Sequence, residues 1–573
     1  MDSILVTSAL PYINGVKHLG NLVGSMLPAD VFARFQRARG RRTLYICATD
    51  EHGTPAELAA LEAGQDVATY CTEQHRIQEE LGQRFGLSWD FFGRSSHRAN
   101  HELTQHFARE LWRRGHLDIR VTRQVYSIAD GRFLPDRYVI GTCPHCGYER
   151  ARGDQCENCT RVLDPADLIH PRSALSGATD IEIRDSAHLF LRQSQFVDAL
   201  RAWIDSHRDD WPSLVTSIAY KWLDEGLHDR GITRDLEWGV PVPDDIGDGK
   251  LKGKVFYVWF DAPIAYISAT REWSEANGAG EEWRNWWIGD PARAVTYYEF
   301  MGKDNVPFHT VGFPVTILGS GESWKLADRI KGFNYINYCG GKFSTSQRRG
   351  VFMDSALEIL PADVWRYYLM ANAPESSDSN FTWEHFASVV NKDLADVLGN
   401  FVNRVMKFCG ARFDSRVPGE GRWGAEETAL AEALDPRVRA YTDYLEACEF
   451  RKALAELRAI WVAGNEYLTR AAPWTSISTD RDRAAVGVRA GLNLVHLFGH
   501  LAWPVIPDVA RRIHESIMPA PEIIPWPEEP MEEFLDQLTA GMRVRAPDML
   551  FAKITDDQIA EWQRRFAGEQ NSG

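Results

Sequence analysis

The first hydrophobic run, Ile4 to Leu10, has the length and near-continuous apolar character of a buried parallel strand. A Pro-Tyr-Ile-Asn-Gly turn follows. From His18 the apolar residues Leu19, Leu22, Val23, Met26, Leu27, Val31 and Phe35 recur at helical spacing, so strand, turn and helix arrive in immediate succession. That order aims a helix N-terminus beyond the strand's carboxyl end, and its unpaired N–H groups and positive dipole end suit a phosphate. His18 and Asn21 fall on one face of the first helical turn. A second strand-like run, Thr43 to Ala48, ends in Thr49-Asp50-Glu51-His52-Gly53 and passes into the helix-like PAELAALEAG. Strand, helix and strand in this order make a right-handed parallel unit. Ligands collect outside the carboxyl ends of such strands, where Pro11 to His18 and Asp50 both lie.

Around Gly115 the periodicity changes. From 115 to 230 the chain carries short strand-like pieces, Gln124 to Ile128 and His188 to Leu191, and reads as an insertion between residues 1–114 and a resumed fold at 231–330. In the second half Val255 to Trp259 is expected as a strand, with DAPIAYIS as its exit into a helix. Val295 to Met301 is another, ending in Gly302-Lys303-Asp304-Asn305, with His309 four residues beyond. Residues 331–387 form a separate region that carries a glycine-rich loop, Gly340 to Gly350. After Pro361 the pattern turns helical: Ala362 to Met370, Trp383 to Val390 and Asn391 to Cys409, then amphipathic helices through Ala440 to Leu468 and Val486 to Trp503. Turn-rich stretches at Pro418 to Glu427 and Asp480 to Asp482 fit the connections of a helical bundle over 388–520. Pro521 to Pro530 reads as a strap opening a tail, 521–573, whose last residues are expected to be disordered.

Composition narrows the class. At 573 residues, 44% hydrophobic and 25% charged, the chain is an ordinary globular protein of three or four domains. No apolar run approaches the roughly 20 residues of a membrane span, and the N-terminus lacks the regions of a signal peptide, so a cytoplasmic location without membrane contact is expected. A net charge of −16 excludes a protein that coats nucleic acid non-specifically, yet leaves room for a polynucleotide docked on a local basic face.

Of nine cysteines, Cys143, Cys146, Cys156 and Cys159 form CPHCGYERARGDQCENC. Two C-x-x-C pairs this close can fold back as knuckles and offer four thiolates to one tetrahedral Zn²⁺, a closed and therefore structural site. One such ion per chain is expected over 143–159.

PYINGVKHLGN resembles the nucleotide-binding signature of class I aminoacyl-tRNA synthetases in the form carried by the methionyl-tRNA synthetases. FYVWFDAPIAY resembles that family's methionine-pocket segment, and GGKFSTSQRRG its mobile KMSKS loop. Together these motifs cover the chain from Leu5 to about Trp526. The resemblance implies an α/β fold: a Rossmann-type parallel-sheet catalytic domain with a zinc-knuckle insertion, followed by an α-helical-bundle anticodon-binding domain. It also implies an ATP-dependent ligase that joins L-methionine to tRNA(Met) through methionyl-adenylate, using Mg²⁺ with the ATP.

Residue by residue, the family pattern gives His18, Asn21 and Lys342 as catalytic. Tyr12, Gly302, Lys303, Asp304 and Thr345 join them around ATP. The methionine pocket takes Leu10, Tyr12, Asp50, Trp259, Ala262, Pro263, Tyr266, Asn305 and His309. A thioether packs well on aromatic rings, and Asp50 suits the substrate ammonium. Asn400, Arg404 and Trp474 fall where the family reads the CAU anticodon, with a Trp for stacking and an Asn and an Arg for base edges.

The loop departs from the family pattern, because Phe343 replaces a methionine and Thr345 stands where most relatives have a second lysine. KFSTS with HLGN resembles an archaeal-like variant. Three outcomes stay open: Lys342 suffices with Mg²⁺, Arg348 or Arg349 substitutes, or activity is impaired. The rival readings are a synthetase for leucine or valine, a catalytically silent tRNA-binding paralogue, and a duplicate inhibitor-tolerant synthetase. The chain shows no dimerisation module after the strap, and a monomer is expected.

Overall fold

The computed structural model describes residues 3–153, 156, 158–159, 161, 163–289, 294–344 and 348–568. Its centre is a five-stranded sheet of β1 (Ser3–Ser8), β2 (Arg42–Thr49), β3 (Phe91–Arg94), β4 (Val295–Gly302) and β5 (Arg329–Phe333). All neighbours are parallel and the spatial order is β5-β4-β1-β2-β3. The chain steps outward from β1 through β2 to β3, then returns to the other side of β1 for β4 and β5. A crevice therefore opens at the carboxyl ends of β1 and β4, where the strand order reverses.

Every residue of β1 is buried, which is why its sequence runs apolar without alternation. Two of the three hydroxyls in β1 are satisfied inside the sheet: Thr7 Oγ1 lies 3.1 Å from the Tyr297 hydroxyl and Ser8 Oγ 3.1 Å from that of Tyr45. The helix after β1 occupies residues 19–38 and loosens into a π turn at Leu22–Met26. Such turns recur at functional sites.

The insertion divides into two small sheets. Leu117–Ser127 and Ile181–Leu191 pair antiparallel along their whole length, and Val139–Thr142 pairs with Ala151–Arg152 and Ile169–Ser173. Both long strands extend well beyond the pieces expected from sequence, because Asp118 to Gln124 and Ile181 to Asp185 bury neither face and so carry no core-facing pattern.

One expectation is corrected here. Val255 to Trp259 is not a strand of the main sheet: only Val255–Phe256 is extended, pairing with Thr233–Arg234, and Val258–Asp261 turns into a short helix. The turn brings the buried Asp261 carboxylate to within 2.6 Å of His52 Nδ1, a tertiary contact that overrides the β-branched and aromatic run.

The carboxyl half is helical, with Asn400–Arg412, Ala425–Glu446, Phe450–Ala471, Arg481–Ala502 and Pro507–Ile517 as its main members. The expected span Ala440 to Leu468 is broken at Cys448, whose φ of 54° ends one helix before Phe450 starts the next. Arg481–Ala502 is not amphipathic, since every residue from Ala484 to Ala502 is buried; it is the central helix of the bundle.

A single apolar core runs from one face of the sheet through the helix Ala362–Ala371 into the bundle. At that junction the Arg366 guanidinium donates to Asp30 (2.6 Å) and to the carbonyls of Val505 (2.8 Å), Pro504 (3.1 Å) and Phe85 (3.1 Å). Burial alone would raise the Asp30 pKa. Arg34 and Arg366 overcome it and hold the carboxyl below its ordinary range. The strap adds a clasp: Trp526 N donates to the Ala38 carbonyl at 2.9 Å and its indole N–H to Thr442 at 3.0 Å. The final residues, 569–573, lie outside the described residues. No helix among the described residues is long and apolar enough to cross a membrane.

Candidate active site

The crevice holds a cavity of about 820 Å³. Fourteen of the carried-over residues line it: Leu10, Tyr12, His18, Asn21, Asp50, Trp259, Ala262, Pro263, Tyr266, Gly302, Asp304, Asn305, His309 and Lys342. They come from five separate stretches, each of which follows a β-strand or opens a helix. Lys303 is the exception, turned outward to pair with Asp378 at 2.7 Å over the ring of Tyr335. Thr345 lies outside the described residues.

At one end, the segment after β1 is clipped to that after β2. Asp50 N donates to the Pro11 carbonyl at 3.0 Å and Ile13 N to the Asp50 carbonyl at 2.9 Å. The Tyr12 hydroxyl donates to the His52 carbonyl, which fixes that ring as a wall. Asp50 Oδ1 is buried with no hydrogen-bond partner. Burial, and then the charges of Asp261 and Glu51, push its pKa well above the ordinary carboxylate range. A buried acceptor held without a donor is an arrangement suited to a cationic ligand.

Aromatic and aliphatic walls surround this carboxylate. The His309 ring lies in a second π turn, Phe308–Gly312. Its Nδ1 is 3.0 Å from the Asn305 carbonyl, which can only accept, so the proton sits on Nδ1 and Nε2 accepts from the Tyr266 hydroxyl at 3.0 Å. Burial lowers the His309 pKa to about 4, so the ring is neutral. Trp259 stands against Phe308 at 4.5 Å and remains 40% exposed at the cavity mouth.

At the other end, His18 and Asn21 cap the helix reciprocally: Asn21 N donates to His18 Nδ1 (3.3 Å), and His18 N to Asn21 Oδ1 (3.2 Å). Capping leaves the ring a donor, because an Nδ1 that accepts leaves the proton on Nε2. Burial, and then Lys17, lower the His18 pKa to about 4, so this ring is a neutral donor. It stacks on Phe343 of the glycine-rich loop at 4.6 Å. The loop itself is pinned by Arg349, which donates to the carbonyls of Lys342 (2.8 Å) and Tyr338 (2.9 Å).

Residues that sequence reasoning missed also line the cavity, notably Lys17, Asn334, Tyr335 and Asn337. Lys17 donates to Asn14 Oδ1 at 2.9 Å, and burial brings its pKa down to about 7. Asn334 and Tyr335 follow β5 directly, so the strand-end rule would have found them had β5 been read as a strand.

Comparison with known proteins settles the family. A model of class I tRNA synthetases (M) matches residues 4–406, and one of the anticodon binding domain of methionyl tRNA ligase matches residues 417–571. The chain belongs to the methionyl-tRNA synthetase family. It is 60% identical over 573 residues to a methionine–tRNA ligase of Caulobacter sp. (strain K31), covering 100% of both chains. It is 59% identical over 577 residues to one of Ruegeria sp. (strain TM1040), again covering 100% of both. The structure of the Mycobacterium tuberculosis methionyl-tRNA synthetase in complex with methionyl-adenylate superposes with a TM-score of 0.77. It covers 96% of this chain and 100% of that one at 23% identity, a likeness of fold.

Two further features of this synthetase stand clear of the cavity. In the insertion, Cys143, Cys146, Cys156 and Cys159 bring their sulfurs within 4.8 Å of one another, with Cys143 to Cys159 at 3.9 Å and Cys146 to Cys156 at 3.6 Å. A tetrahedral ion at a Zn–S bond of about 2.3 Å sets sulfurs about 3.8 Å apart, so the donor set fits a metal and is too open for disulfides. The Cys143 backbone carbonyl accepts the Gly147 N–H at 3.0 Å, which closes the turn that carries Cys146. In the bundle, the Arg404 guanidinium lies 4.3 Å over the ring of Trp474, itself 38% exposed. Asn400 sits one turn before Arg404, just past a third π segment, Val390–Gly399.

Proposed function

We infer that the chain is a methionine–tRNA ligase that serves translation initiation and elongation. It activates L-methionine with ATP to methionyl-adenylate, releasing pyrophosphate, and passes methionine to the 3′ end of tRNA(Met). The observation that carries this reading is one cavity with a buried, partnerless Asp50 carboxyl oxygen at one end and a neutral histidine donor with Lys342 at the other.

In this proposal Asp50 accepts from the methionine ammonium. Leu10, Tyr12, Trp259, Ala262, Pro263, Tyr266, Asn305 and His309 enclose the thioether, with the locked His309–Tyr266 pair as the floor. The methionine carboxylate then attacks the α-phosphorus in line. Little covalent chemistry falls to the protein, so orientation and charge stabilisation dominate. His18 donates Nε2–H to the triphosphate, Asn21 fixes that tautomer, and Gly302 and Asp304 border the nucleotide. Lys342 faces the charge that develops on the leaving pyrophosphate, and Mg²⁺ enters with the ATP as its counter-ion. Lys303 acts from behind this wall, through Asp378 and Tyr335, and Thr345 belongs to the same loop. Arg349 spends its guanidinium on loop carbonyls and Arg348 is not among the residues lining the cavity, which leaves Lys342 as the loop's phosphate-facing cation. The four cysteines hold one structural Zn²⁺. The protein works as a cytoplasmic monomer.

Methionine-dependent ATP–pyrophosphate exchange on the purified protein tests the reading, with leucine, isoleucine, valine and cysteine alongside. Exchange with methionine alone is expected. Exchange with none of them from folded, zinc-loaded protein would leave a silent tRNA-binding paralogue.

The second step rests on Asn400, Arg404 and Trp474 reading the CAU anticodon. Stacking of a base on an aromatic ring contributes about 1–3 kcal/mol. Trp474→Ala is therefore expected to lower kcat/KM for tRNA(Met) charging about 10- to 100-fold while exchange stays unchanged. Equal losses in both assays would remove the anticodon role.

A further inference from the structure

A second donor cluster lies in the carboxyl-terminal bundle, where neither the cavity nor the cysteine knuckle reaches. His496 and His500 are one turn apart on the central helix Arg481–Ala502, and His514 comes from the next helix, Pro507–Ile517. One ring nitrogen from each lies within 4.8 Å of the others. All three are buried, at 3%, 6% and 3% exposure.

Hydrogen bonding fixes which nitrogens face inward. His500 Nδ1 is 2.6 Å from the Pro525 carbonyl and His514 Nδ1 is 3.3 Å from the Met518 carbonyl. Carbonyls only accept, so both rings carry their proton on Nδ1 and keep an Nε2 lone pair. His496 Nε2 stands 3.2 Å from His500 Nε2 and must supply the N–H of that contact. Its own Nδ1 is then left buried without a partner. Three imidazoles thus turn more lone pairs than protons into an apolar space, a deficit that a Lewis acid removes.

We propose that His496, His500 and His514 bind a second divalent metal ion, Zn²⁺ or a cation of similar softness, through their Nε2 atoms, with water as the fourth ligand. Neutral imidazole suits such ions. Bonds of about 2.0–2.1 Å in tetrahedral array set ligand nitrogens about 3.3–3.4 Å apart, close to the 3.2 Å already held by His496 and His500. The carbonyls of Pro525 and Met518 orient two ligands from behind, as metal-bound histidines require. On binding, His496 exchanges its Nε2 proton for the ion and carries one on Nδ1. The ring of Phe534 lies 5.5 Å from His496 and 5.4 Å from His500 and covers the cluster. The ion would tie the last two bundle helices to the strap that clasps the catalytic domain through Trp526.

The test uses the full chain, loaded with excess Zn²⁺ and desalted, then analysed for metal by mass spectrometry. Two equivalents per chain are expected, falling to one in His514→Gln and to one in the Cys143→Ser, Cys146→Ser double variant. Loaded with Co²⁺ instead, the wild type is expected to show thiolate charge-transfer bands plus a second set of ligand-field bands without thiolate character. His514→Gln should remove only the second set, with methionine-dependent exchange reporting that this variant is folded. A single equivalent in the wild type, with thiolate-type cobalt bands alone, would overturn the proposal without reference to any variant. Two equivalents retained in folded His514→Gln would do the same.

Discussion

Asp50→Asn is expected to lower methionine-dependent exchange by about 10²- to 10³-fold, since removing one member of a buried charge pair costs roughly 2–5 kcal/mol. The loss should fall on methionine affinity, measured by calorimetry, with ATP affinity unaffected. The same substitution should leave the free protein as stable as before, or more so. Asn keeps the two backbone bonds that Asp50 makes to Pro11 and Ile13. Its side chain also needs no ionisation in a site where burial raises the Asp50 pKa. The sign follows from proton linkage. A carboxyl whose folded pKa is raised binds more protons folded than unfolded, so its contribution to stability declines as pH climbs from the ordinary Asp value of about 3.9 towards the raised one. The Tm advantage of Asn should therefore widen with rising pH across that window. At pH values inside that window, methionine binding to the wild type should release protons, because the ammonium favours the carboxylate. Exchange within a few-fold of wild type would remove Asp50 from the ammonium site, whereas a collapse of Tm would make it a structural residue.

The divide between what the chain announces and what it conceals follows the range of the interactions involved. β1, the turn and the helix behind it are legible because burial on both faces and a 3.6-residue period are local properties of Ile4 to Arg39. β4 is legible for the same reason, and with it the placing of Asn305 and His309. Val255 to Trp259 misleads because its conformation is set by the His52–Asp261 contact, across a large span of sequence. β5 is missed because RIKGF alternates charge with a glycine and lies at the sheet edge. Asn334 and Tyr335 go unread with it. The cysteine knuckle declares itself by spacing. The histidine trio does not: His514 joins His496 and His500 only once two helices pack, and the carbonyls that set their tautomers come from Pro525 and Met518. A motif can be read ahead of structure when its donors share one segment.

Lys342→Ala is expected to reduce the turnover of methionine activation by about 10²- to 10³-fold, the usual consequence of deleting one preorganised group that faces developing charge. The loop's geometry gives this residue its weight. Arg349 holds the Lys342 carbonyl at 2.8 Å and that of Tyr338 at 2.9 Å, so its own charge serves the backbone of the loop. Phe343 stacks on His18 at 4.6 Å, which joins the loop to the neutral donor at the helix N-terminus. Lys342 borders the cavity between them. Lys17, and not Lys342, is the cation that acts on the Asp50 carboxyl, so methionine affinity should be preserved and the loss should appear in kcat. Arg349→Ala acts differently: it frees the loop without removing the facing cation, so KM for ATP should rise more than kcat falls. Single-turnover formation of methionyl-adenylate at saturating ATP separates the two. If Lys342→Ala were restored to the wild-type rate by raising ATP alone, the lysine would be a ground-state binding group. Transition-state stabilisation would then rest with His18 and the metal that accompanies the triphosphate.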